Sequence, residues 1–201
     1  VLEKLIRVIL SKNVCNLAVL KDIYGEMLKN KVVEAHVFLG LYFIFFYQNL
    51  GEWTKEQTNR LLSLSSNQET CQYWEMFFEG FIKSNNQYLD YYEWMHEHYK
   101  KAIELYNKMG LERLTEILTQ FFEKDRDILD SNSLIRFCWE KKAFLLLSGC
   151  VQEISFPLNK GKLYGYTPNE ADIEQEKQFL PKAEKLWNFL WDQIGHEHNI
   201  L

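Results

Sequence analysis

The sequence predicts an all-α protein built from antiparallel helical hairpins stacked one after another. Three observations predict this class. Residues 1–156 contain no proline, and because proline removes a backbone donor and clashes with the preceding turn, its absence permits uninterrupted helix. Apolar residues recur at helical spacing throughout this stretch. Capping signals and short polar links separate the predicted helices from one another.

The N-terminal third carries helix signals in close succession. Apolar spacing predicts helices over residues 2–11 and 16–29, and a third over residues 33–50 that is apolar on nearly every side. A helix of this composition is typically central, with neighbours all round, and Gly51 is predicted to end it. Three capping boxes, a hydroxyl residue followed three positions later by Glu or Gln, then mark further helix starts: Thr54-x-x-Gln57, Ser66-x-x-Glu69 and Ser84-x-x-Gln87.

Two aromatic stripes follow at helical spacing. The first predicts a helix beginning near Cys71 and consists of Cys71, Trp74, Phe78 and Phe81. The second alternates spacings of four and three, which predicts a long helix that ends at Gly110: Tyr88, Tyr92, Met95, Tyr99, Ala102, Tyr106 and Met109. Stripes of this kind usually form core. Further helices are predicted over residues 111–123 and 131–148.

The helix signals break between Cys150 and Tyr166. Partial alternation on both sides of Asn159-Lys160-Gly161 permits a turn, so we predict a non-helical insertion over residues 150–167 with a small β-hairpin near 151–166. A helix is predicted to restart at Thr167 and to break or kink at Pro181. The final helix is predicted to end at Gly195 and to turn five residues inward: Ala183, Trp187, Leu190, Trp191 and Ile194.

Composition restricts the classes of protein and partner. The chain has 201 residues, 47% of them hydrophobic, enough for one helical domain with a sizeable core. Its net charge is −5, whereas nucleic-acid binders usually present a basic face, so no nucleic acid is expected. No apolar run is long enough to cross a bilayer. The four scattered cysteines predict buried thiols in a cytoplasmic protein. Because the chain opens inside a helical pattern, we interpret it as a fragment of a longer polypeptide.

Motifs of catalysis and cofactor binding are missing from the sequence. There is no Gly-rich phosphate loop, no Gly-x-Ser-x-Gly elbow and no His-Glu-x-x-His. This absence favours a chain that is not an enzyme and holds no cofactor, although a helical enzyme could assemble its site from scattered residues. Glu93-x-x-His96 matches the spacing of di-iron bundles, but that chemistry needs two such motifs. A metal or small-ligand bundle built around Glu93, His96 and the tyrosines therefore stays an alternative.

The predicted insertion supplies the candidate partner-binding residues. Long non-helical segments in compact helical proteins are often functional. This one combines aromatic rings with lysines, a mixture suited to protein contact: Phe156, Lys160, Lys162, Tyr164 and Tyr166. The alternative is that the same rings fold back and cover the last hairpin.

A Trp-Glu-x-Phe helix beginning at Trp74, followed by the aromatic helix around Tyr91 to Tyr99, resembles a known arrangement. It is similar to the C-terminal helical region of large bacterial antiviral-defence proteins whose N-terminal parts carry Sir2-like or STAND NTPase modules. The resemblance implies a sensing or assembly role, with any enzymatic activity in another part of the polypeptide.

Together these observations predict a non-catalytic helical scaffold for protein interaction or sensing, with a protein or peptide as its partner. Two alternatives stay open. One is the small-ligand or metal-binding bundle, and the other is the effector domain of a bacterial regulator that binds a peptide between its helices. No nucleic acid and no membrane are expected as partners.

Overall fold

A computed structural model describes residues 17–84, 91–105, 111–124, 129–163 and 170–198. In these ranges all the regular structure is helical, which confirms the all-α class. The described helices are α1 (Leu17–Lys29), α2 (Val33–Leu41), α3 (Phe43–Leu64), α4 (Cys71–Ser84), α5 (Tyr92–Glu104), α6 (Leu111–Glu123), α7 (Leu134–Glu140), α8 (Phe144–Leu163) and α9 (Glu170–His198).

The helices form two compact units. The first unit, Val1–Gln87, contains α1 to α4, and the second, Tyr88–Leu201, contains α5 to α9. The interpretation of residues 1–201 as a single domain cut from a longer polypeptide stays a prediction.

The first unit is built around a close crossing of α2 and α4 at two glycines. A Cβ added at Gly40 would overlap the carbonyl oxygen of Phe77, and one added at Gly80 would overlap the carbonyl oxygen of Val37. Only hydrogen atoms fit between the two backbones, so glycine is required at both positions. Aromatic rings fill the space beside this crossing. The ring centroids of Phe43 and Phe81 lie 5.0 Å apart.

The predicted helix over residues 33–50 has different bounds. It divides at Tyr42, and α3 continues past Gly51 to Leu64. Leu50 has non-helical backbone angles (φ −138°, ψ 43°) and marks a kink inside α3. Thr54 lies within this helix, and its hydroxyl donates to the carbonyl oxygen of Leu50 at 2.9 Å. The predicted capping box at Thr54 is therefore wrong, because the hydroxyl bonds backward along a helix already formed.

The core of the second unit contains the tyrosine stripe of α5. Tyr92, Met95, Tyr99 and Ala102 are all buried, which confirms the core interpretation over this part of the stripe. The rings of Tyr92 and Tyr99 make edge-to-face contacts with the ring of Phe121 on α6, at centroid distances of 4.8 and 4.9 Å. Edge-to-face pairs at this distance stabilise beyond their buried area.

The predicted non-helical insertion over residues 150–167 and its β-hairpin near 151–166 are wrong over the part that the structure describes. Residues 150–163 continue α8 as helix. The physical reason lies upstream, because Leu147, Cys150 and Ile154 are buried at spacings of three and four and carry the helical face into this segment. Packing of this face outweighs the local turn signals of Asn159 and Gly161 and the ~3 kcal/mol cost of a proline in a helix.

Pro181 does not divide the last helix into two. α9 runs from Glu170 to His198 with Pro181 inside it, and it also continues past Gly195. The predicted end at Gly195 is therefore wrong.

Candidate functional site

The inner side of α9 joins the helix to the second unit. Leu186 is buried, with 2% of its surface exposed. The ammonium of Lys182 donates to the carbonyl oxygen of Glu123 at the end of α6. The guanidinium of Arg136 lies 5.1 Å from the ring centroid of Phe189, a cation–π contact. One apolar anchor and two polar contacts thus fix the orientation of α9.

The opposite side of α9 exposes large apolar side chains. Their exposed fractions range from 42% to 65%, and at 3.6 residues per turn their positions fall within about 60° of arc. We call this set the outer stripe: Ile173, Leu180, Trp187, Trp191 and Ile194. The prediction that Trp187, Trp191 and Ile194 turn inward is wrong, because Leu186 takes the buried position and the stripe lies on a separate face of the same helix.

The two tryptophans form the widest part of the outer stripe. The rings of Trp187 and Trp191 are nearly parallel, at 22°, with centroids 6.4 Å apart. Trp187 is 58% exposed and Trp191 65%. Stacked indoles on a helix surface present a broad, rigid apolar platform, and tryptophan is among the residues most enriched at the centres of protein interfaces.

A cleft between α8 and α9 lies beside this platform. Its volume is about 260 Å³. Most of its wall is apolar, and Glu184 and Asn188 add polar groups; the apolar lining residues are Val151, Ile154, Ala183, Leu186 and Trp187. Because Trp187 belongs to both the cleft and the outer stripe, one bound molecule can contact them together. A cleft of this size and lining accepts a single large apolar side chain or a small apolar molecule.

The partner-binding residues predicted from the sequence lie elsewhere. Phe156, Lys160 and Lys162 are on α8, in its C-terminal half. Tyr164 and Tyr166 lie outside the described residues. The role of these five residues in partner binding stays a prediction. The β-hairpin that was expected to bring them close together is replaced by helix up to Leu163.

The residues of the predicted metal or small-ligand site lie on α5. His96 is buried, and its Nε2 donates to the carbonyl oxygen of Asn132 at 2.8 Å. The ring of Tyr92 contacts that of His96 at 5.4 Å. Within the described ranges, no group of three or more His, Cys, Asp or Glu side chains is placed to hold a metal ion. The structure therefore gives His96 a local role, joining α5 to the segment before α7.

His98, two residues further along α5, is buried more deeply. Removal of the imidazole from water lowers its pKa to about 3, and the charge of Glu97 opposes this shift. Burial also lowers the pKa of His36 in the first unit, whose Nδ1 donates to the carbonyl oxygen of Val32 at 2.8 Å. Both imidazoles are thus neutral at pH 7 and belong to the packing of their helices.

Among the helices of the described residues, none combines the length and the apolar composition needed to span a membrane. Comparison with known proteins finds no family model, no curated protein and no solved structure that matches the chain.

Proposed function

We propose that this chain is a non-catalytic helical protein-interaction module that binds an amphipathic helix of its partner on the outer stripe of α9. The observation that supports this proposal is the exposure of five large apolar side chains on one side of a single helix, including the stacked Trp187 and Trp191. Water contact with such a surface is unfavourable, and apolar patches of this size typically mark interaction sites.

The area of the stripe is large enough to drive binding. Large side chains expose about 150–250 Å² each when free, so five of them at roughly half exposure present on the order of 500 Å². At ~25 cal/mol per Å², covering this area contributes about 12 kcal/mol before costs. Association costs an estimated 4–15 kcal/mol in lost motion. The balance is compatible with a specific complex of moderate affinity.

The shape of the stripe favours a helix as its occupant. The stripe is narrow, and from Ile173 to Ile194 it extends about 32 Å along the helix axis at 1.5 Å per residue. A second helix that lies alongside α9 would contact it over this whole length. The cleft next to Trp187 would receive one large apolar residue of that helix, as pockets at interface centres do. Exposed charges beside the stripe, among them Lys177 and Glu184, would set register and orientation.

Several sequence-based interpretations remain proposals alongside this one. A sensing or assembly role in a bacterial defence protein, and a cytoplasmic location, rest on the resemblance and on composition. The alternatives of a metal or small-ligand bundle and of a peptide-binding effector domain likewise stay open. The second of these is compatible with the proposed surface, since the bound helix could belong to a peptide.

The experiment that tests the proposal is affinity capture with three forms of the chain. Wild type, a Trp187→Ala/Trp191→Ala double variant and a Phe144→Ala/Leu145→Ala control are immobilised and exposed to source-cell lysate. The control removes two apolar side chains that are exposed to similar degrees on α8. The partner is then identified, and its amphipathic helix is synthesised and titrated against all three forms.

The proposal expects the synthetic helix to bind wild type and the control, and to bind the tryptophan variant at least about tenfold more weakly. Circular dichroism first confirms equal helix content. A partner that binds the tryptophan variant as tightly as wild type would contradict the proposal. Equal loss in both variants would also contradict it, because binding would then follow exposed apolar area in general.

A further inference from the structure

We propose that the helix received by the outer stripe is α9 of a second copy of this chain, so that the module forms an antiparallel homodimer. This inference rests on the proposed function and names its partner. Its starting point is the spacing within the stripe, where Ile173, Leu180, Trp187 and Ile194 follow one another at intervals of seven residues. Two helices stay in contact over several turns when both carry a seven-residue apolar repeat, and α9 supplies one.

The positions of the four residues are symmetric about the midpoint between Ala183 and Glu184. A two-fold axis through this midpoint places Ile173 opposite Ile194 of the second copy, and Leu180 opposite Trp187. Every apolar residue at a seven-residue interval therefore meets an apolar residue in an antiparallel pair. An interface with two-fold symmetry requires such a self-complementary surface.

The area is near what a weak dimer needs. Two copies of the stripe cover on the order of 1,000 Å² of apolar surface, and residues at the margins add to it. Stable complexes cover about 1,200–2,000 Å², and transient ones fall below this range. The pairing therefore predicts a weak, transient dimer.

Charged residues along one margin of the helix pair influence the affinity of the dimer. Lys177, Glu184 and Trp191 follow each other on this margin at intervals of seven. In the antiparallel arrangement Lys177 lies next to Trp191 of the second copy, where an ammonium above an indole is favourable. The ion pair that Lys177 makes with Glu174 of its own helix, at 3.7 Å, is exposed and weak. Glu184 lies beside Glu184 of the second copy, so the two carboxylates repel each other and limit the affinity.

The test measures the dissociation constant by sedimentation velocity over a range of concentrations for wild type and three variants. Trp187→Ala is expected to weaken dimerisation by about 30-fold, because it removes a residue from the centre of the interface. Glu184→Gln is expected to tighten it about two- to fivefold through loss of repulsion. Leu145→Ala, which removes an exposed leucine on α8, is expected to leave it unchanged.

Cross-linking checks the orientation. Glu184→Cys is expected to form an intermolecular disulfide, because the two copies of this position lie beside the axis. Ile194→Cys is expected not to, since its copies lie about 32 Å apart along an antiparallel pair. Cross-linking of Ile194→Cys would contradict the antiparallel arrangement, because only a parallel pair brings this residue of the stripe close to its own copy.

Two outcomes separate this inference from the proposed function. A wild-type chain that stays monomeric at high concentration, while a partner helix still needs Trp187 and Trp191 for binding, would overturn the homodimer and leave the interaction module intact. A dimer that Trp187→Ala does not weaken would place its interface elsewhere and also overturn the inference. A monomeric chain whose partner binding ignores both tryptophans would overturn both proposals.

Discussion

Helices α5 and α9 carry the same sequence signal and have opposite fates. Each has apolar residues, aromatic ones among them, spaced by three and four along one side. On α5, Tyr92 and Tyr99 are buried against Phe121 of α6. On α9, Trp187 and Trp191 stack on each other and stay more than half exposed. Spacing therefore identifies an apolar face, whereas burial depends on which elements are available to cover it.

The apolar faces of the two helices differ in what covers them. The stripe of α5 meets α6 at Phe121, and other apolar residues of α6 that recur at helical spacing are buried too: Leu114, Ile117 and Leu118. Three contacts already hold α9 in place. Leu186 is buried, Lys182 of α9 donates to the end of α6, and Phe189 of α9 contacts Arg136. Its outer stripe is a second apolar face beyond those contacts, which is why we assign it to a partner.

The largest expected effect comes from breaking the buried stripe. Phe121→Ala removes the ring that both tyrosines of α5 contact, at a position with no exposed surface. Loss of a fully buried phenylalanine leaves a cavity and should lower the free energy of unfolding by about 3–5 kcal/mol. Urea unfolding followed by circular dichroism measures the change. A loss below about 1 kcal/mol would mean that this core closes up around the cavity.

A second prediction concerns pH and His98, which is buried on the same helix. Its pKa of about 3 in the folded chain lies below the ~6.5 of an unfolded histidine. Between these values the unfolded chain binds a proton that the folded chain does not, so stability falls as pH falls. The slope from this group is up to about 1.4 kcal/mol per pH unit. His36, whose pKa burial also lowers, acts in the same direction.

Urea unfolding at several values between about pH 7 and pH 5 measures this slope. His98→Gln and His98→Phe should each reduce the slope by the contribution of His98, whatever the stability of the variant at neutral pH. Two variants are used because either side chain alone could fit the site poorly. A wild-type profile that is flat over this range would contradict the burial of neutral His98.

A smaller effect of opposite sign, a rise in the free energy of unfolding, is expected at the C-terminal end of α7, which carries neither stripe. Lys142 follows α7 with a positive φ of 56°, and the next amide, of Ala143, bonds the carbonyl oxygen of Cys138 at 2.8 Å. Glycine is favoured at this position. Lys142→Gly should therefore raise the free energy of unfolding by about 0.5–1 kcal/mol. Lys31→Gly, at φ 57° after α1, is the matched change in the first unit. A loss of stability in both would contradict the assigned helix ends.

The sequence predicted the helical class and the core stripe of α5 because both follow from local spacing. It did not predict the Gly40–Gly80 crossing, since the two glycines are forty positions apart and only the folded chain brings them together. Glycine within two strongly apolar helices was the available signal. The predicted turn at Asn159 and Gly161 was wrong, because the buried helical face that begins at Leu147 carries the helix through this segment. Trp187, Trp191 and Ile194 of the outer stripe were predicted as core, because spacing alone cannot distinguish the two faces of α9.

The most direct test of the central claim is the stability of Trp191→Ala, measured by urea unfolding at a protein concentration low enough to keep the chain monomeric. If the outer stripe serves binding, the free energy of unfolding should stay within about 0.5 kcal/mol of wild type, as for other exposed positions. A loss of more than about 2 kcal/mol would show that Trp191 belongs to the core, and would contradict the assignment of the stripe to a partner.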